Sequence, residues 1–174
     1  MRKIKISVLL ILSIIMLFAI SAAGYAKTPV SLQSALEIAL RDAGLSEDQI
    51  SLGEIDGEEG RSVDIEFSRT DDGTEYEYEI SAGSGKILEK SVEYRYKKNA
   101  SRKKIGKTKA RKIVSKAAGV SVKKIKKGTC KYKYKKNQGK YTIKFRHKNY
   151  KYKYVLMASD GKIIEYEYEY HKSK

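Results

Sequence analysis

Glu75-Tyr76-Glu77-Tyr78-Glu79-Ile80 recurs, with its charges inverted, as Lys151-Tyr152-Lys153-Tyr154-Val155-Leu156. In both stretches charged residues alternate with tyrosines, and a period of two is the pattern of a strand with one wet face and one apolar face. The tyrosines are therefore expected on a core and the charges in solvent. Upstream, Val63-Asp64-Ile65-Glu66-Phe67 and Tyr141-Thr142-Ile143-Lys144-Phe145 alternate in the same way. Downstream, Ser84-Gly85-Lys86-Ile87-Leu88-Glu89 is matched by Asp160-Gly161-Lys162-Ile163-Ile164-Glu165. Asp71-Asp72-Gly73 and Asn137-Gln138-Gly139 carry turn chemistry between strands.

Each set of strands is preceded by a helical pattern. Leu32, Ala35, Leu36, Ala39, Leu40 and Ala43 form one stripe of a 3.6-residue period. Ser31 is placed to cap the N-terminus and Gly44 to end the helix. In the second copy Ala110, Ile113, Val114 and Ala117 make the stripe, and Gly119 ends it. Four blocks in one order at a nearly constant offset indicate duplication. The expected fold class is α+β: two tandem small modules, each one helix packed on the tyrosine-bearing face of an antiparallel meander of about four strands. The expected boundaries are 27–97 for the first module, 98–104 for a polar, basic linker and 105–174 for the second module.

The N-terminus reads as a secretory signal over residues 1–26. Arg2, Lys3 and Lys5 precede an apolar run from Ile6 to Ile20, and small residues follow up to a cut before Lys27. An uncleaved anchor is the alternative and requires extending the run to Ala23. Either reading places the rest of the chain outside the cytoplasm, in the cell envelope or secreted.

Charge is distributed unequally. The whole chain carries +16, yet residues 27–94 hold 17 acidic against 6 basic side chains, and residues 95–174 hold 28 basic against 4 acidic. A split of this size concerns association more than fold. The candidate binding face is the charged side of the alternating strands: Glu75, Glu77 and Glu79 in the first copy, Lys131, Lys133, Lys151 and Lys153 in the second. The competing reading is that these charges only solvate an open sheet face and pair locally. A hairpin pairing Tyr154 with Tyr166 would set Lys153 against Glu167 and Lys151 against Glu169.

Groups for catalysis are sparse. The two histidines, His147 and His171, have no metal-ligand spacing between them, and no His-Glu-x-x-His occurs. The lone Cys130 alternates with Lys131, Tyr132, Lys133 and Tyr134, and fits a small buried strand side chain or, failing that, an intermolecular disulfide. A Cys130/His147 dyad would have nothing to orient the base. Asp71 and Asp72 fit a turn better than a calcium site. The expectation is a non-enzymatic chain with no cofactor and no metal.

An alanine-rich helix ending in Gly, an alternating strand pair and then Ile80-Ser81-Ala82-Gly83-Ser84-Gly85-Lys86-Ile87-Leu88 resemble a PepSY domain. The family's closing pattern, Asp-Ala then Thr-Gly-Lys, is replaced here by Ser81-Ala82 and Ser84-Gly85, and in the second copy by Ala158-Ser159-Asp160-Gly161-Lys162. Gly and Lys keep their places, so the turn is preserved. The resemblance implies secreted or membrane-attached bacterial proteins and the propeptides of secreted metallopeptidases, where such domains restrain peptidase activity. It carries over no catalytic residues.

The leading expectation is a secreted, non-catalytic protein-binding module that restrains or chaperones a cell-envelope peptidase. The alternative is a binder of anionic wall polymers or lipid head groups through the basic copy. Self-association, acidic copy on basic copy, is a structural variant. Export argues against nucleic acid as a partner.

Overall fold

A computed structural model describes residues 29–57, 61–96 and 102–171. The expected signal segment lies outside the described residues, as do residues 98–101 of the expected linker. No helix among the described residues is long and apolar enough to cross a membrane.

The chain order is α1 (Leu32–Ala43), a 3-10 turn (Glu47–Gln49), β1 (Ile50–Gly57), β2 (Ser62–Arg69), β3 (Glu75–Ser81) and β4 (Ile87–Glu93). There follow α2 (Lys107–Ala118), α3 (Val122–Lys126), β5 (Thr129–Lys135), β6 (Gln138–His147), β7 (Tyr150–Met157) and β8 (Ile163–Tyr170). The fold is α+β, with all eight strands in one antiparallel sheet of order β1-β2-β3-β4-β8-β7-β6-β5. Two four-strand meanders thus meet through their last strands. At that seam Glu89 faces Glu169, Ser91 faces Glu167 and Glu93 faces Glu165. Ser91 and Glu167 are 76 residues apart, the same offset that relates Glu75 to Lys151.

Helix α1 begins where Ser31 Oγ accepts a hydrogen bond from the Ser34 amide at 3.1 Å. It ends at Gly44, whose φ of 69° is the left-handed conformation that glycine adopts without a Cβ penalty. Ala35, Leu36, Ala39 and Leu40 are buried against Val63, Ile65, Phe67, Tyr76 and Tyr78. Leu32, placed on the same stripe by its spacing, is instead 48% exposed, at the first position of the helix beside Gly57 of β1. Helix α2 seats Ala110 and Val114 on a second core with Ile143, Phe145, Tyr154 and Leu156. Both cores lie on the tyrosine-bearing face, and Tyr166 of β8 packs against each of them.

Three features differ from the sequence reading. The strands form a single sheet, because the β4 edge finds its ladder partner in β8. The second half has an additional helix, α3, anchored by the fully buried Ile125. The β5–β6 turn is centred on Lys136 and Asn137, with φ of 50° and 62°, one place earlier than Asn137-Gln138-Gly139 suggests. Gly139 lies within β6, where an added Cβ would meet the Tyr132 hydroxyl at 2.7 Å.

Candidate functional site

The sheet has two unlike faces. Helices α1 and α2 cover one, and the other is open and charged. Register makes the open face readable as rows across the strands. One row runs Glu54, Glu66, Glu77, Ser91, Glu167, Lys153, Lys144, Thr129. The next runs Asp56, Asp64, Glu79, Glu89, Glu169, Lys151, Arg146. The face is acidic from β1 through β8 and basic from β7 outward. The boundary lies one strand beyond the β4–β8 seam, since β8 carries Glu165, Glu167 and Glu169.

Across that boundary the hairpin pairs as its sequence suggests. Tyr154 faces Tyr166, Lys153 faces Glu167 and Lys151 faces Glu169. Lys153 Nζ lies 2.6 Å from Glu165 Oε1 and 2.7 Å from Glu167 Oε2, and Lys151 Nζ lies 2.9 Å from Glu169 Oε1. Hydrogen bonds to Glu165 and then Glu167 hold the Lys153 ammonium above its ordinary pKa. These side chains are about a third exposed, so each pair contributes roughly 0.2–1 kcal/mol.

The candidate residues therefore separate into three groups. Lys151 and Lys153 are engaged by carboxylates. Lys131 and Lys133 are exposed on the β5 edge, with Lys133 directly opposite Lys140. Glu75, Glu77 and Glu79 sit on β3 among other acids. Burial first, then Glu66 and Glu75, push the Glu77 carboxyl up; burial first, then Glu167 and Glu169, do the same to Glu89. A raised carboxylate pKa means that the charged form is disfavoured in the folded state, so these two groups cost stability at neutral pH. That cost is recovered as pH falls through their raised values, above the ordinary glutamate value of about 4.3. The thermal midpoint should accordingly rise on mild acidification from pH 7, and Glu89→Gln should raise it at pH 7 and flatten the response. A midpoint that falls steadily from pH 7 downward would contradict this reading.

The end of the open face nearest the β7–β8 turn carries an apolar patch. Val155, Met157 and Ile164 form a small buried cluster under Tyr96, whose hydroxyl donates to Asp160 Oδ2 at 3.0 Å. On the helix side, a cavity of about 690 Å³ is lined chiefly by Tyr150, Tyr152, Tyr154, Tyr166 and Tyr168 beside the end of α2. Burial pushes the Tyr154 phenol up to about 12 and raises those of Tyr152, Tyr166 and Tyr168. Lys86 Nζ stands 3.0 Å from the Tyr170 ring centroid and bridges the two halves.

A third feature is the polar clamp at the end of α1. Lys90, only 6% exposed on the core face of β4, places Nζ 2.6 Å from Asp42 Oδ2, and the Tyr78 hydroxyl donates to the same oxygen at 3.0 Å.

The sparse reactive groups are not brought together. Cys130 is buried opposite Ile143, four residues along β6 from His147, or about 13 Å at strand rise. Burial raises its thiol pKa. Asp72 Oδ1 accepts from the Thr74 amide at 2.8 Å and Asp71 pairs with Arg69, so both are used within the turn. Among the described residues no group of three His, Cys, Asp or Glu side chains has metal-holding geometry.

A short basic stretch escaped the sequence reading. A depression of about 570 Å³ on the open side is lined by Lys124 and Lys127 of the α3 turn, Lys144 and Arg146 of β6, and Lys151 and Lys153. Lys144 and Arg146 alternate with Ile143 and Phe145, so period-two reasoning reaches them; α3 is too short to announce itself.

Residues 29–90 match the family model described as "Peptidase propeptide and YPEB domain", PepSY. Among solved structures, the Bacillus megaterium YpeB C-terminal domain is similar at 15% identity and a TM-score of 0.44, over 79% of this chain and 62% of that one. A lipoprotein candidate from Clostridium difficile 630 is similar at 16% identity and a TM-score of 0.30, over 84% and 97% of the two chains. This chain thus spans less than two thirds of the YpeB domain's length. No curated protein sequence matches it. The PepSY match thus falls on α1, β1 to β3 and most of β4.

Proposed function

We propose that this chain is an extracytoplasmic, non-catalytic binding module that restrains or chaperones a cell-envelope peptidase. The observation that carries the reading is the PepSY match over residues 29–90, whose family description couples the domain to peptidase propeptides. The dispersal of Cys130, His147 and His171 supports action by contact. In this reading the two halves are tandem copies of one unit, 27–97 and 105–174, fused at the β4–β8 seam. The tyrosine-lined cavity suits a protein partner, since tyrosine offers large apolar area with a polar tip. The test is titration of the chain lacking residues 1–26 into an envelope fraction of the source cells, with peptidolysis of a general substrate as readout. A saturating change in rate supports the reading; no change at any concentration counts against it.

A second reading, binding of an anionic envelope polymer, is favoured by one specific observation. Lys144 faces Lys153, Arg146 faces Lys151 and Lys133 faces Lys140. Like charges directly opposite one another on a sheet are destabilising. The counterparts of Lys144, Lys151 and Lys153 in the first copy are Glu66, Glu75 and Glu77, so the backbone accommodates either sign at these positions. Bound anions would relieve the repulsion on the basic side.

A further inference from the structure

We infer that the depression between α3 and the β6–β7 strands is a binding site for a phosphate-chain polyanion; this rests on the second reading above and names its site and ligand chemistry. Six cationic side chains line the depression against two carboxylates, those of Glu167 and Glu169. The carboxylates are occupied by Lys153 and Lys151. Lys124, Lys127, Lys144 and Arg146 are exposed and form no ion pair among the described residues. Four uncompensated cations converge on one cavity.

Local structure holds the cations there. Ile125 is fully buried and fixes α3 on the second core. Gly128 then passes directly against β6: an added Cβ would collide with the Lys144 carbonyl oxygen and approach Phe145 Cβ at 2.8 Å. That close approach brings Lys124 and Lys127 to the end of the row holding Lys144 and Lys153. β5 begins at Thr129, opposite Lys144, so Arg146 lies beyond its reach and the cavity opens there.

The donors select the ligand. Arg146 offers a planar fork that matches a phosphate bidentately, and the lysines are compact point charges around it. Lys144 and Arg146 are two residues apart on one face, about 6.6 Å along the strand, with Lys153 and Lys151 one strand spacing away, about 4.8 Å. Cations at these separations suit successive phosphates of a chain better than a single ion. A recessed site also favours a polymer strand over a flat bilayer surface.

The test uses the chain lacking residues 1–26, with long-chain inorganic polyphosphate as the probe. Poly-L-glutamate of matched charge and phosphatidylglycerol vesicles are the comparators. Lys144→Glu with Arg146→Glu should weaken polyphosphate binding by roughly a hundredfold at low salt and reduce the slope of log K against log salt by about two. Lys109→Glu with Lys112→Glu, on the exposed side of α2, makes the same change in net charge and should weaken binding by about threefold or less. Equal losses in the two variants, with folding intact by circular dichroism, would overturn the site while leaving polymer binding by the general field. Binding of poly-L-glutamate as tight as polyphosphate would overturn the phosphate preference. Tighter binding to the vesicles would overturn the polymer as ligand. No binding of polyphosphate by the unaltered chain would overturn both the site and the second reading.

Discussion

Replacing Leu36 with aspartate is expected to unfold the first half of the sheet's helical cover, with a loss of about 4 kcal/mol or more. Leu36 is 6% exposed and sits between Ala35, Ala39 and Leu40 on the stripe that α1 presses onto Phe67, Tyr76 and Tyr78. A carboxylate there has no partner and cannot reach water without lifting the helix. Among the described residues α1 is the only α-helix of that half, and it supplies the helical side of the core. Thermal denaturation should show a large drop in midpoint, and amide protection in β2 and β3 should fall with it. An unchanged midpoint would mean that α1 does not cover the core.

The second large effect concerns the clamp between α1 and β4. Asp42→Leu removes the carboxylate that accepts from both Lys90 Nζ and the Tyr78 hydroxyl, leaving a buried ammonium without its counter-charge. Breaking a buried pair from one side is far costlier than removing both members. The Asp42 side chain keeps about a third of its exposure, which screens the pair. The expected loss is therefore about 2–3 kcal/mol, at or below the low end of the ~3–5 kcal/mol for a fully buried pair. Lys90→Met in the same chain should return most of it, because methionine fills a similar volume between Tyr78 and Tyr168 without a charge. The four-chain cycle measures the coupling directly. If the double variant is as unstable as Asp42→Leu alone, the lysine is not what the aspartate serves.

Much of this architecture is legible in the residues. Tyr76, Tyr78, Tyr152 and Tyr154 announce the covered face because alternation leaves them no other side. Ser31 and Gly44 bracket α1 because capping chemistry is local. The β4–β8 join is not legible, since Ile87–Glu93 and Ile163–Tyr170 read as ordinary strands and only the assembled edge chooses their partner. Nor does the alternation foretell that Lys90 is buried: its partner Asp42 lies 48 residues earlier on a helix. The candidate faces were readable as charges but not as a grouping. Lys131 and Lys153 look equivalent in sequence, yet the fold gives Lys153 two carboxylates and leaves Lys131 on an edge strand. The basic depression needed the close passage of Gly128 against β6, a tertiary contact that no periodicity encodes.

In the proposed role the chain acts by contact and in proportion to its target. The most direct measurement is the end point of the peptidolysis titration, run with the unaltered chain and with Cys130→Ala, His147→Gln and His171→Gln combined. The effect should saturate at a fixed ratio of chain to target, should not grow with time, and should be the same for both proteins. An effect that grows with time at trace amounts of the unaltered chain, and disappears in the folded triple variant, would mean that the chain acts by turnover and not by contact.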